Sequence, residues 1–327
     1  MIDVAIVIVC MNNLKNLYPC LESIRKYTSV TYETLVVAYL FTPDNLRKAK
    51  EDFPWVTFIE SNEIRGFSEN NNLALRQAKG KYCFVVNDDT EMTMPTIDIL
   101  VATIETLPEQ VAIVSPTLVG ADGRVQVCGV PPINWKTALL EKLHLWHRNK
   151  QDKYVNKKGV FKSYNIIGAA FLIKTEVFRK AGWFDERYFF CPEDIALSTT
   201  LNKMGYECYV NDDAKIVHYE GMSGKSLSYI QTATKPAARR GSIIFFSGGK
   251  RSLAFLIKVL YTSLTLMSFV VHFCIGMTSK RPNKYYILSL GEWNIIKTSF
   301  SNATPKDLFI KYYNKIKRRK VMLYTFR

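Results

Sequence analysis

Tyr82-Cys83-Phe84-Val85-Val86-Asn87-Asp88-Asp89-Thr90 is the stretch on which the fold turns. An unbroken apolar run ends abruptly in an amide and two carboxylates. A run this short, apolar on both faces, suits a β-strand covered by helices on each side. The polar cluster then marks the carboxyl end of that strand, the end at which open α/β sheets bind ligands. The same punctuation recurs twice. The apolar run 188–190 is followed by Glu193-Asp194, and the run 214–217 is closed by His218.

Working outward, residues 4–10, 34–40, 56–60, 82–87 and 111–115 are expected strands, each short and rich in Val or Ile. Between them 15–26, 44–52, 70–78 and 96–107 show helical spacing of apolar positions. This βαβα order predicts an α/β chain with a mostly parallel, doubly wound sheet flanked by helices. The segment 118–164 is irregular, with Pro131-Pro132 and a basic stretch over 136–162, and reads as a flap over the site or a surface excursion. Beyond it a strand is expected over 165–173 and a helix over 175–181. A further helix over 193–204 is stopped by Gly205 and carries Glu193 and Asp194 in its first turn.

The charge is unevenly placed. The 327 residues carry a net charge of +15, yet residues 231–327 alone hold 18 Lys and Arg against Glu292 and Asp307. Residues 1–230 are thus close to neutral, and the anion-seeking part of the chain is its last third. Residues 1–230 are expected to form one domain and 231–327 a basic helical extension. A near-neutral body lacks the basic face of a nucleic-acid-binding protein, so no nucleic-acid partner is expected. Seven widely spaced cysteines, without a C-x-x-C pair, read as reduced thiols of a cytosolic protein. The start, Met1-Ile2-Asp3 and then an apolar run, reads as a first strand rather than a signal peptide.

Six motifs follow one another in order: Gly66-Phe67-Ser68-Glu69-Asn70-Asn71-Asn72, Val85-Val86-Asn87-Asp88-Asp89-Thr90, Gly168-Ala169-Ala170-Phe171-Leu172-Ile173, Gly182-Trp183-Phe184-Asp185-Glu186, Glu193-Asp194, and His218-Tyr219-Glu220-Gly221-Met222-Ser223. Together they resemble the inverting family 2 glycosyltransferases of the GT-A fold, in particular the rhamnosyltransferase-like branch that builds bacterial surface polysaccharides. The resemblance spans residues 4 to about 225.

It implies a sugar transfer from a nucleotide-sugar donor to a lipid-linked or oligosaccharide acceptor, with Mn²⁺ or Mg²⁺ as cofactor. By position, Asn87-Asp88-Asp89 matches the family's D-x-D-type motif. Asp89 is then the metal carboxylate, with Asp88 assisting, and His218 closes the metal site. A hard cation on a diphosphate prefers such oxygen ligands. Asp194 matches the catalytic base, with Glu193 as its alternative, because an inverting displacement needs a carboxylate on the acceptor side. Val9, Cys10 and Asn12 match the first-strand turn that touches the nucleotide. Arg65, Gly66, Phe67 and Asn71 fall in the Gly-Phe loop, and Gly168 and Ala169 complete the donor side. The plainer alternatives are a solvated acidic turn for Asn87–Asp89, dipole compensation for Glu193-Asp194 and packing for His218.

The chain departs from the family twice. Ala38-Tyr39-Leu40-Phe41 stands where the family has Asp-Asn-Gly-Ser, whose aspartate reads the base. After the expected base, Ala196 and Thr200 replace an acidic residue and an arginine. A sugar-phosphate nucleotidyltransferase would share the sheet and the acidic motif, but it needs a Gly-rich loop after the first strand, and Cys10-Met11-Asn12-Asn13 has no glycine. A catalytically inactive membrane-binding homologue is the third reading. It sits poorly with Asp89, Asp194 and His218 all being present.

In the last third, the apolar stretch 253–277 is broken by Lys258 and His272 and flanked by Lys250-Arg251 and Lys280-Arg281. It is nearly long enough to cross a bilayer. A single span would export the tail containing Lys315, Lys317, Arg318, Arg319 and Lys320, against the positive-inside tendency. Helices lying on an anionic membrane surface are therefore preferred over a span, a soluble core or a homo-oligomer contact. The expected location is cytoplasmic, peripheral on the inner face of the cell membrane.

Overall fold

A computed structural model describes residues 2–126, 129–143, 154, 157–219, 229–279 and 282–325. Thus Cys128, Lys280-Arg281 and the Glu220–Ser223 part of the last motif lie outside the described residues. The chain divides into two compact units. One comprises Met1–Ile133, Leu140–Asp185 and Glu193–Ser223, and the other Asn134–Leu139, Glu186–Pro192 and Gly224–Arg327.

The first unit is a nine-stranded sheet with helices on both faces. Its elements run β1 (Val4–Met11), α1 (Leu14–Tyr27), β2 (Tyr32–Tyr39), α2 (Pro43–Asp52), β3 (Val56–Ser61), α3 (Phe67–Leu75), β4 (Tyr82–Asn87), β5 (Thr90–Glu91), α4 (Thr96–Thr106) and β6 (Val111–Val119). After β7 (Gly129–Val130) and α5 (Trp135–Lys142), whose residues up to Leu139 belong to the second unit, come β8 (Val160–Ser163), β9 (Asn165–Ile166), β10 (Ala170–Lys174), α6 (Thr175–Lys180), α7 (Glu193–Lys203) and β11 (Glu207–His218). The sheet order is β3-β2-β1-β4-β10-β6-β11-β5, with β8 also on β11, while β7 pairs separately with β9.

The chain winds from β1 through β2 to β3 on one side and returns to β4 on the other side of β1, all in parallel. The switch point of the winding therefore lies between β1 and β4. Because each strand is apolar on both faces, alternate residues feed two cores. Ile6, Ile8, Phe84 and Val86 face one, and Val7, Cys83, Val85 and Phe171 the other, all at most 2% exposed. Burying each such large side chain contributes about 1.5–3 kcal/mol.

Several expectations shift. Strands β10, β5 and β8 run antiparallel to their neighbours. A continuous apolar run cannot reveal this, since burial on both faces gives the same pattern in either direction. The strand expected over 165–173 is two strands, β9 and β10, broken at Ile167-Gly168-Ala169. The helix expected from 70 starts at Phe67, because Glu69 reaches back to accept the Gly66 N–H at 3.0 Å and fixes the earlier start. Helix α7 ends where Gly205 takes φ +87°, a left-handed turn that lets Tyr206 N–H bond the Leu201 carbonyl at 2.9 Å. The irregular segment contains β7, α5 and β8. Residues 127–128, 144–153 and 155–156 of it lie outside the described residues.

The second unit is helical: α8 (Gln231–Ser247), α9 (Arg251–Thr278), α10 (Pro282–Thr298) and α11 (Pro305–Thr325). Ile243, Ile257 and Tyr261 form its small core. The buried Arg240 caps the end of α10, donating to the Thr298 and Ser301 carbonyls at 2.8 Å each, where a helix concentrates negative charge. On α9 only Ile257, Tyr261 and Thr265 are buried, whereas Phe255, Met267, Val271 and Met277 are more than half exposed. Among the described residues α9 alone is long and apolar enough to cross a membrane. Within the single chain most of this helix is therefore exposed apolar surface.

Candidate active site

The site is assembled at the carboxyl ends of β1 and β4. Register pairs Val9 with Asn87, so Cys10 at the end of β1 lies close to Asp88, while its thiol donates to the Asn13 carbonyl at 3.5 Å. Asp88 is 8% exposed and Asp89 4% exposed. Burial, reinforced by the neighbouring Asp89 charge, raises Asp88 to about 6 despite the opposing influence of the nearby Cys10 thiol. Burial and the Asp88 carboxylate likewise push the Cys10 thiol well above its ordinary range, so it acts as a donor and not as a thiolate.

Strand β11 brings His218 to this turn, pairing it with Thr90. The His218 Nε2 stands 3.5 Å from Asp89 Oδ1. On the other side of the ring, His218 Nδ1 meets Gln126 Oε1 at 2.9 Å, while Gln126 Nε2 donates to the His218 carbonyl at 3.0 Å. That second bond orients the amide, so its oxygen faces the imidazole and Nδ1 carries the proton. The Nε2 lone pair is then turned toward the Asp89 carboxylate. A lone pair and a carboxylate oxygen facing each other call for a cation or a proton between them. Two donors in adjacent positions on an octahedral ion, with bonds of about 2.1 Å, stand about 3 Å apart. The donor set therefore fits a divalent cation, with Gln126 as the outer partner that fixes the tautomer. Among the described residues no group of three or more His, Cys, Asp or Glu converges on one point. The remaining ligands of such an ion would be phosphate and water. Tyr219 braces the turn, its N–H donating to the Asp89 carbonyl at 2.9 Å and its hydroxyl to Glu91 at 2.8 Å. A cavity of about 180 Å³ opens beside it, lined by Lys15, Asn16, Asp89, Glu91 and Tyr219 among others.

Asp194 is tied to the same place by the broken strand. Asn87 N–H donates to the Ala169 carbonyl at 2.9 Å, and Gly168 N–H donates to Asp194 Oδ2 at 3.1 Å. Two consecutive residues, Gly168 and Ala169, thus fasten the acidic turn after β4 and the acid at the start of α7. Ile195 N–H holds the other oxygen of Asp194 at 2.8 Å. Burial raises the Asp194 carboxyl above the ordinary aspartate value, against these two backbone N–H bonds. Glu193 beside it is buried. Gly168 suits the close approach, since a Cβ there would sit 3.2 Å from Asp194 Cβ and push the acid by a few tenths of an ångström.

Several expected donor-side residues are engaged within the protein. Asn12, at φ +48°, accepts from Thr42 N–H at 3.1 Å and from Asn45 Nδ2 at 2.9 Å, so its amide ties the loop after β2 to the end of β1. Arg65 bonds Ser61 Oγ at 3.1 Å and Glu63 at 3.0 Å. Asn71 is 1% exposed and its amide donates to the Phe67 carbonyl, while Phe67 packs edge-on against Phe184. Val9 packs against the second core. Asn72, not among the expected site residues, pins α3 to Phe184 through both N–H and C=O. Gln126 was not foreseen either, because it lies in a loop without periodicity and its partner depends on the register of β11. Beside Ala38 and Phe41, a cavity of about 500 Å³ lies at the ends of β2 and β3, with Arg47, Lys50, Glu60 and Asn62 among its walls.

A mostly parallel sheet flanked by helices, with carboxylates at its switch point and a His-Asp pair on the adjoining edge, is the architecture of the GT-A class. The chain belongs to glycosyl transferase family 2, whose family model matches residues 5–182. It is 27% identical over 157 residues to the O-antigen biosynthesis protein RfbC of Myxococcus xanthus, covering 48% of this chain and 12% of that protein. Over 241 residues it is 27% identical to the uncharacterized protein y4gI of Sinorhizobium fredii, covering 67% of this chain and 25% of that protein. The chain thus spans a quarter or less of the length of these curated relatives. Among solved structures it resembles GalNAc-T7 with UDP, GalNAc and Mn²⁺ (TM-score 0.53, 16% identity, 70% of this chain and 46% of that one). It also resembles the mannosyltransferase PcManGT of Pyrobaculum calidifontis with GDP-Man and Mn²⁺ (TM-score 0.50, 15% identity, 90% and 86%). At these identities the likeness is one of fold.

Proposed function

We propose that the protein is an inverting, metal-dependent glycosyltransferase that moves a sugar from a nucleotide-diphosphate donor to a hydroxyl of a lipid-linked or oligosaccharide acceptor in cell-surface polysaccharide synthesis. It works on the inner face of the cell membrane. The observation that carries this reading is the fastening of two differently furnished acids to the Gly168-Ala169 step: Asp88-Asp89 beside His218 on one side, Asp194 on the other. The name of the Myxococcus relative supports the polysaccharide setting, and the Mn²⁺ complexes of the two solved neighbours support the metal.

Asp89 and His218 would hold the divalent cation, with Asp88 assisting. When bound, the cation offsets the negative charge that builds on the diphosphate leaving group. Asp194, held by Gly168 and Ile195 N–H with its carboxyl raised by burial, takes the proton of the acceptor hydroxyl as that oxygen bonds the anomeric carbon. The bond to the diphosphate oxygen breaks and its electron pair leaves with the nucleoside diphosphate, inverting the anomeric centre. The Ala38–Phe41 cavity is the base pocket of this reading. It lacks the family's aspartate, so the base is held there by shape and by Asn62 instead.

The test is a panel of nucleotide sugars incubated with purified protein and Mn²⁺, with release of nucleoside diphosphate followed by chromatography. One donor class is expected to release its diphosphate, and chelation to abolish the release. Release of pyrophosphate from a nucleoside triphosphate and a sugar phosphate would contradict the proposal in favour of nucleotidyl transfer.

A further inference from the structure

We propose that the helical unit carries a discrete binding site for a lipid phosphate, a single apolar chain ending in a phosphate or diphosphate group. The site stands independently of the transfer reaction. A cavity of about 780 Å³ lies among α8, α10 and α11. That is within the range of ligand pockets, about 300–1,000 Å³. Tyr229, Leu290, Trp293, Tyr312 and Ile316 supply apolar wall, and two hydrogen bonds tie polar groups of the floor to one another. Asn294 Nδ2 donates to the Thr232 carbonyl at 3.0 Å, and the Tyr312 hydroxyl donates to the Asn294 carbonyl at 3.3 Å. Most of the interior is therefore apolar side chain.

Three exposed cations complete the lining, Lys297, Lys315 and Arg318. Lys297 Nζ stands 4.9 Å from the Trp293 ring centre, and Lys315 Nζ 5.3 Å from that of Tyr312, so the charges are held against the aromatic walls. Among the described residues no carboxylate pairs with any of the three. The two acids of residues 231–327 are engaged elsewhere, Glu292 with His272 at 2.9 Å and Asp307 with Thr304 at 2.7 Å. An apolar cavity edged by unneutralised cations complements a chain with an anionic head, not a neutral lipid or a free anion. Within the same unit α9 exposes an apolar row that is long enough to lie in a bilayer, the surroundings in which such amphiphiles occur.

The experiment is calorimetric titration of the full chain with decyl phosphate below its aggregation concentration, alongside decanol and inorganic phosphate. Saturable one-to-one binding of decyl phosphate is expected, at least about tenfold tighter than either control, a difference of about 1.4 kcal/mol. The triple variant Lys297→Ala, Lys315→Ala, Arg318→Ala should lose about tenfold in affinity with unchanged circular dichroism, its three side chains being exposed. Trp293→Ala should weaken decyl phosphate and leave inorganic phosphate unaffected. Equal binding of decanol and decyl phosphate would overturn the proposal, as would a triple variant that binds like the parent. Adsorption to phosphatidylglycerol vesicles without saturable decyl phosphate binding would also overturn it, as would tighter binding of an acidic peptide.

Discussion

Asp88 sits almost buried beside a second carboxylate, and its raised carboxyl, about 6 against an ordinary 3.8, has a consequence for stability. A carboxyl raised in the folded state binds its proton more tightly there than in the unfolded chain. Its contribution is therefore present below pH 3.8 and lost as pH rises through about 6. The loss at pH 8 is at most about 3 kcal/mol. In chelator-treated protein, Asp88→Asn should raise the melting temperature by several degrees at pH 8 and leave it unchanged at pH 4, as scanning calorimetry would show. An equal effect at both pH values would remove the electrostatic explanation. At this scale the sequence was informative where a polar residue ends an apolar run, as at Asp88, Asp89 and His218, because strand ends can be located from the run itself. It was silent on Gln126. It was silent too on the bonds that tie Asn12 to Asn45 and Arg65 to Ser61, since these partners are set by loop geometry that no local pattern encodes.

At the scale of elements, the break between β9 and β10 decides the geometry. Residues 165–173 look like one strand because all but two are apolar, yet the chain must bend at Gly168 to present its N–H to Asp194. Antiparallel β10 then carries Ala169 to Asn87, a pairing whose direction the apolar pattern cannot specify. A methyl group at residue 168 would stand 3.2 Å from Asp194 Cβ and 3.6 Å from Oδ2, so the acid must move by a few tenths of an ångström. Gly168→Ala should therefore lower turnover by about 10- to 100-fold. Donor affinity should change less than turnover, because the group the methyl displaces is Asp194, on the acceptor side. Steady-state kinetics beside an unchanged far-ultraviolet spectrum would check this, and wild-type turnover would show that Gly168 is not needed to position Asp194.

At the scale of the whole molecule, charge and apolar surface are concentrated in the last third, as composition alone indicates. Each basic residue near an anionic surface contributes about 1 kcal/mol. Neutralising Lys315, Lys317, Arg318, Arg319 and Lys320 together should release the protein from phosphatidylglycerol vesicles at moderate salt in a sedimentation assay. Salt-insensitive retention would point to a span by α9 instead. The side chains of Arg319 and Lys320 lie outside the described residues, and their part in this test rests on sequence. The central claim, however, is a division of labour within the catalytic unit, in which Asp89 serves donor and metal and Asp194 serves the proton. It is tested most directly by measuring Mn²⁺-dependent donor binding and single-turnover transfer side by side in Asp89→Ala and Asp194→Asn. The account predicts that Asp89→Ala loses Mn²⁺-enhanced donor binding, while Asp194→Asn keeps it and loses about 10²–10⁴-fold in transfer. Normal transfer by Asp194→Asn, or Mn²⁺-enhanced donor binding that survives in Asp89→Ala, would contradict it.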